Sequence, residues 1–264
     1  MADGRPNWQR VLVTRPEGEA ADKLCAAVKA AGFQVYSQPL LELHSLPSLP
    51  PERRSMVLDL DRYQHVIFIS ANAVRFGMAL IDELWPQLPE GLNWYAIGAA
   101  TAAGLERFGV APLTPSDMSS EGLLAVSALQ DVSEQHILIV KGEGGRDALV
   151  QEFTRRGAVV DELACYQRSF LELPQGELAG RLARWAIDVI LISSGEGLAN
   201  LQLLLSRAET SKLKHMGLIV PSERVARLAQ DAGFDQVVTA KNASDVAMLR
   251  ALGAWPRRVL EVDE

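Results

Sequence analysis

The sequence predicts an α/β protein of two parallel-sheet lobes, each doubly wound and flavodoxin-like. A two-stranded β hinge joins them, with an active-site cleft between. Three observations carry this. Short apolar runs alternate with helix-period stretches along the chain, the pattern of parallel sheets covered on both faces. The second half repeats the first at a nearly constant offset. Val66-Ile67-Phe68-Ile69-Ser70 matches Val189-Ile190-Leu191-Ile192-Ser193, and Leu105-Glu106-Arg107-Phe108-Gly109 matches Ala229-Gln230-Asp231-Ala232-Gly233. Lastly, two strand–helix units 126 residues apart each run on into an extended segment that no helix follows, at 33–44 and 159–170.

The elements follow in order. Val11–Thr14 is too short and apolar for a helix and reads as a buried strand. Pro16 suits the first turn of the helix 17–31, where Ala21, Leu24, Cys25 and Val28 make one apolar face and Gly32 is the stop. Val35 opens the next strand. A Pro-rich loop at 46–51 leads to a modest helix near 52–61. Val66–Ile69 is a strand, and Val74, Met78 and Ile81 line the helix after it. Asn93–Ile97 is a strand ending in Gly98, with a helix at 99–108. Ser119-Ser120-Glu121 caps a helix running to about Leu129. Ile137–Val140, the glycine run 142–145, a helix at 146–156 and the strand from Val159 complete the first half. Then come a helix at 175–185, a strand at 189–192, a helix lined by Leu198, Leu201 and Leu205, and a strand at 218–220. A helix at 223–232, a strand at 236–239 and a helix at 244–252 end the fold.

Each lobe needs one strand–helix–exit unit and one longer block to close its core. Economical use of the exit strands joins 1–37 to 173–264 as a discontinuous outer lobe. It inserts 45–160 as a middle lobe and leaves 38–44 and 161–172 side by side as the hinge.

Composition excludes several classes. A chain of 264 residues, 48% hydrophobic and 22% charged, is ordinary globular protein with room for two domains. A net charge of −7 leaves no basic excess to neutralise phosphates, so no nucleic-acid partner is expected. No apolar run reaches a membrane span, and Met1–Trp8 carries no apolar core of a signal peptide. A cytoplasmic protein is expected, with Cys25 and Cys165 as two idle thiols. The histidines at 44, 65, 136 and 215 lie in no metal spacing. Neither a dinucleotide nor a P-loop glycine pattern survives at 142–147, where Asp147 occupies the position of the third glycine. No Gly-x-Ser-x-Gly elbow is present.

Ligands of open parallel sheets bind beyond the carboxyl ends of the strands. Those ends are small or hydroxylated here: Thr14-Arg15, Ser70-Ala71-Asn72, Gly98 with Thr101, Lys141-Gly142, Ser193-Ser194 and Pro221-Ser222. Each precedes a helix N-terminus, where free N–H groups and the dipole attract anions. Six such places suit a ligand with several carboxylates or phosphates, although short polar residues also simply cap helices. Tyr166, in the second hinge segment, reads either as interlobe packing or as a weak acid for a leaving group.

Together these segments resemble the uroporphyrinogen-III synthase family over about residues 10–252. The resemblance rests on Val-Thr-Arg-Pro at 13–16, Ser-Ala-Asn-Ala-Val at 70–74, Ile97-Gly98-x-x-Thr101-Ala102, Lys141-Gly142 through Arg146-x-x-Leu149, and Tyr166-x-Arg168. It implies a linear tetrapyrrole substrate with eight carboxylates, hydroxymethylbilane, closed to uroporphyrinogen III with inversion of the last pyrrole. It further implies no cofactor and no metal, and a monomer is expected. Tyr166 would assist departure of the hydroxyl. Arg15, Lys141, Arg146 and Arg168 would meet carboxylates, a role that surface salt bridging rivals. Val225 stands where the repeat would place a threonine matching Thr101, so a polar contact there is absent or supplied by Ser222. The competing reading is a non-catalytic bilobal binding module for a polyanionic small molecule.

Overall fold

The structure is a computed structural model and describes residues 9–46, 50–144 and 147–255. The chain divides into two compact units, Met1–Glu42 with Ser169–Glu264, and Leu43–Arg168. It opens with β1 (Arg10–Val13), α1 (Glu19–Ala30) and β2 (Gln34–Ser37), then enters the second unit within β3 (Leu41–Ser45). There follow α2 (Pro51–Leu58), β4 (His65–Phe68), α3 (Ala71–Leu84), β5 (Asn93–Ala96), α4 (Ala99–Glu106) and α5 (Ser120–Leu124). β6 (His136–Gly142) and α6 (Ala148–Arg155) lead to β7 (Val159–Phe170), within which the chain returns to the first unit. That unit is completed by α7 (Glu177–Trp185), β8 (Val189–Leu191), α8 (Gly195–Leu204), α9 (Arg207–Leu213), β9 (Gly217–Val220), α10 (Glu223–Asp231), β10 (Val237–Thr239) and α11 (Asp245–Gly253).

The first unit holds a sheet in the order β10-β9-β8-β1-β2, parallel throughout. Counted within the unit this is the doubly wound order 2-1-3-4-5. The second unit holds β3-β7-β6-β4-β5, with β7, β6, β4 and β5 parallel. The duplication is therefore structural: β6, β7, β4 and β5 stand to one another as β1, β2, β8 and β9 do. Winding reverses between β1 and β8 in one sheet and between β6 and β4 in the other. Those reversals are where an open α/β sheet leaves a crevice beyond its strand ends.

Side-chain alternation explains why both sheets are apolar on both faces. Val11 and Val13 pack with Val189, Leu191 and Ile219 beneath α1 and α11, while Leu12 packs with Ile190, Leu218 and Val220 on the other face. In the second unit Val66, Phe68, Leu138 and Val140 share one core with α3, and Ile67, Ile137 and Ile139 share the other with Phe153 of α6.

The structure corrects three sequence expectations. The helix expected to reach Leu129 stops at Leu124, and a 3₁₀ turn spans Ser127–Leu129. The carbonyls left open are taken by Gln130, whose Nε2 donates to Leu124 O and Val126 O, and by Arg156, whose Nη1 donates to Leu124 O and Leu129 O. The helix after the chain's return begins at Glu177 rather than 175, because Gly176 adopts a left-handed conformation (φ 79°) before it. α9 is an addition to the expected elements. Its signal is nonetheless in the sequence: Ser206 and Glu209 form a capping box.

Candidate active site

Tyr166 owes its position to a β-bulge. Lys141 of β6 pairs with Ala164 of β7, but the next residue, Gly142, pairs with Tyr166, so Cys165 is the extra residue. Strict alternation would put Cys165 and Tyr166 on opposite faces; the bulge lets both join the core that Leu163 enters. The backbone is fixed beyond the bulge, where Glu143 N–H donates to Tyr166 O at 2.8 Å. The ring lies directly over Gly142, whose hypothetical Cβ would stand 2.5 Å from Cζ. On its other contacts the ring stacks with Phe76 of α3 (centroids 5.2 Å apart, planes 23°). Arg75 in turn holds its guanidinium carbon 5.0 Å from the Phe76 centroid. Tyr166 is 5% exposed, and its hydroxyl is 3.5 Å from Ser70 Oγ, the outer limit of a hydrogen bond.

Ser70 is also the N-cap of α3, accepting from Ala73 N–H at 3.0 Å. Ala71 and Asn72, both partly exposed, form the first turn of that helix. The structure thus brings Ser70, Gly142 and Tyr166 together at the reversal point between β4 and β6. One strand further, Gly98 precedes α4, whose first turn has no side-chain cap; Thr101 is buried there. Lys141 lies beside this group but points into protein. It is 6% exposed and ion-paired with Glu162 on the neighbouring strand, with Asp147 3.8 Å away. Its ammonium is therefore engaged within the protein, not presented to a ligand.

The first unit treats its equivalent point differently. Thr14, buried, donates its hydroxyl to Leu191 O at 2.7 Å, bridging β1 and β8. Arg15 is a clamp: Nε donates to Ser193 Oγ (3.2 Å), Nη1 to Ala20 O (3.1 Å) and Asp245 Oδ1 (2.5 Å), and Nη2 to Ala243 O (2.6 Å). One guanidinium so ties the ends of β1 and β8 to the start of α11. Ser194 caps α8 through Gly197 N–H, and Ser222 caps α10 through Val225 N–H at 3.4 Å. Val225 itself packs in the core, so the threonine-like contact absent from this repeat leaves an apolar position. Arg168 is exposed on β7 and has a partner of its own, while Arg146 lies outside the described residues.

Three residues at the Tyr166 group lie outside the sequence motifs: Phe76, Arg75 and Arg53. Arg53 of α2 donates to Glu143 (3.2 Å) and to Ala164 O (3.5 Å), bracing the bulge from the side. Phe76 is detectable in the sequence only as an aromatic off the Val74–Met78–Ile81 stripe of α3. Among the described residues no group of three His, Cys, Asp or Glu could hold a metal ion, and no helix is long and apolar enough to cross a membrane.

A family model described as uroporphyrinogen-III synthase HemD matches residues 22–250. The uroporphyrinogen-III synthase of Escherichia coli K12 is 33% identical over 248 residues, 92% of this chain and 99% of that relative. That of Salmonella typhimurium LT2 is likewise 33% identical over the same lengths. Among solved structures, the uroporphyrinogen-III synthetase of Helicobacter pylori 26695 aligns with a TM-score of 0.60 at 14% identity, covering 94% of this chain and 100% of that one. A mutant uroporphyrinogen III synthase from Thermus thermophilus aligns at 0.55 and 20%, covering 93% and 99%; at such identities both likenesses speak for the fold alone. The chain belongs to the uroporphyrinogen-III synthase family.

Proposed function

We propose that the protein is a cyclising hydro-lyase that converts hydroxymethylbilane to uroporphyrinogen III, with Tyr166 as the acid that assists the leaving hydroxyl. The observation that carries this reading is the seat built for one phenol: a bulge, a glycine beneath the ring, and an aromatic against it. In the reaction, the pyrrole nitrogen pushes out the hydroxyl of the terminal hydroxymethyl group. The C–O bond breaks, the departing oxygen takes the phenol proton, and water leaves. The resulting cation is attacked through a spiro intermediate that inverts the last pyrrole. Loss of a proton on closure restores the aromatic ring and returns a proton to the site. Spontaneous closure gives the uninverted isomer, so the protein's main task is conformational control of a reactive species. Carboxylates of the substrate would meet helix N-termini, foremost that of α4, whose first N–H groups have no side-chain cap.

The test is incubation with hydroxymethylbilane and separation of the product isomers. The type III isomer should form above the spontaneous background. Tyr166→Phe keeps the ring and its packing on Gly142 and Phe76. It should lower turnover by about tenfold or less, below the usual 10²–10⁴ of general acids because the pyrrole already drives departure. Thermal stability should barely change, and the residual product should still be type III. Wild-type turnover by Tyr166→Phe would reduce Tyr166 to a packing residue.

A further inference from the structure

We infer that Arg75 is a substrate-carboxylate-binding residue of the Tyr166 site, a reading that rests on the function proposed above. Three observations lead to it. First, two of the cations that the motifs nominate are already engaged: Arg15 by Ser193, Asp245 and two carbonyls, and Lys141 by Glu162 and Asp147. Secondly, Arg75 is exposed, and among the described residues no carboxylate pairs with it; its guanidinium carbon lies over the Phe76 ring. Thirdly, that ring is the one stacked on Tyr166, so the guanidinium belongs to the same cluster as the candidate acid.

The chemistry of a guanidinium over an aromatic ring supports the assignment. Cation–π contact with the ring is not a hydrogen bond and leaves the N–H donors of the guanidinium available to a carboxylate. Contact with the ring also favours one placement of the long side chain beforehand, so less freedom is lost when the anion arrives. A protein of net charge −7 that takes a polycarboxylate needs such local cations, since its overall field repels the ligand. Lysine could carry the charge but not the planar face or the bidentate geometry.

The experiment compares wild type, Arg75→Gln and Arg75→Lys in steady-state turnover of hydroxymethylbilane at low and high salt. Arg75→Gln should raise KM by about fivefold, the upper end for an exposed ion pair, with kcat and melting temperature near wild type. Arg75→Lys should recover part of the loss. The gap between wild type and Arg75→Gln should narrow at high ionic strength, which a purely structural role would not produce. A KM for Arg75→Gln indistinguishable from wild type, or a loss confined to kcat, overturns the assignment. Failure of the proposed function is a different result: there the wild-type protein itself yields no type III isomer.

Discussion

At Gly142 a side chain would meet Tyr166 at 2.5 Å from Cζ and 2.9 Å from the hydroxyl oxygen. A methyl group there cannot be absorbed by a flexible tip, because the ring is stacked with Phe76 and its backbone is set by the bulge. Gly142→Ala should therefore push the phenol off its seat. Overpacking of this kind costs about 1–3 kcal/mol, so the melting temperature should fall. Turnover should fall at least as far as in Tyr166→Phe. Because both substitutions act on one hydroxyl, their effects on turnover should not add in the double variant. Full additivity would show that Gly142 acts on something other than Tyr166.

Single elements are held by side chains that reach far along the sequence. Asn200 of α8, buried, donates its amide to Leu40 O and to Leu171 O (3.0 Å), while Leu171 N–H donates to Leu40 O at 3.2 Å. One amide thereby fastens the two chain segments that leave and re-enter the first unit. Asn200→Ala should destabilise that unit by about 2 kcal/mol, the cost of leaving one buried and one part-buried carbonyl short of a donor. Hydrogen exchange should reveal it first at Leu171; unchanged protection there would count against the clamp. Such contacts mark the boundary of what the sequence makes legible. Strands and helices are readable because β1, β4, β6 and β8 are short apolar runs followed by hydroxylated or glycine ends. The strand-end candidates follow from that topology. The break at Leu124 is not readable, since one of its donors, Arg156, lies 32 positions away. Nor is the engagement of Arg15 by Asp245, 230 positions on, or the bulge that turns Tyr166 inward. Periodicity reports which face of an element is buried, and it says nothing of which polar groups meet across elements.

At the scale of the whole molecule, each unit has its own sheet and its own cores on both faces, so each should report its own opening. The two cysteines provide the probes, one in each unit. Cys25 is partly exposed on α1, with burial raising its pKa above the ordinary thiol value. Cys165 is buried in the core beside Tyr166, its thiol 3.3 Å from Lys141 O, and burial pushes its pKa up to about 12. Thiolate is the form that reacts with alkylating agents. Under native conditions Cys25 should therefore be labelled first, and Cys165 only when the second unit opens. The same shift has a sign in stability. A thiol whose folded pKa is raised favours the folded state while it stays protonated. Cys165 accordingly contributes its full share below the ordinary thiol value, and the share is lost as pH rises from there through about 12. Cys165→Ala should show a flatter alkaline decline in the stability of the second unit than the wild type does. Labelling of Cys165 in native buffer as fast as Cys25, or parallel alkaline profiles for wild type and variant, would mean that the bulge does not seal this core.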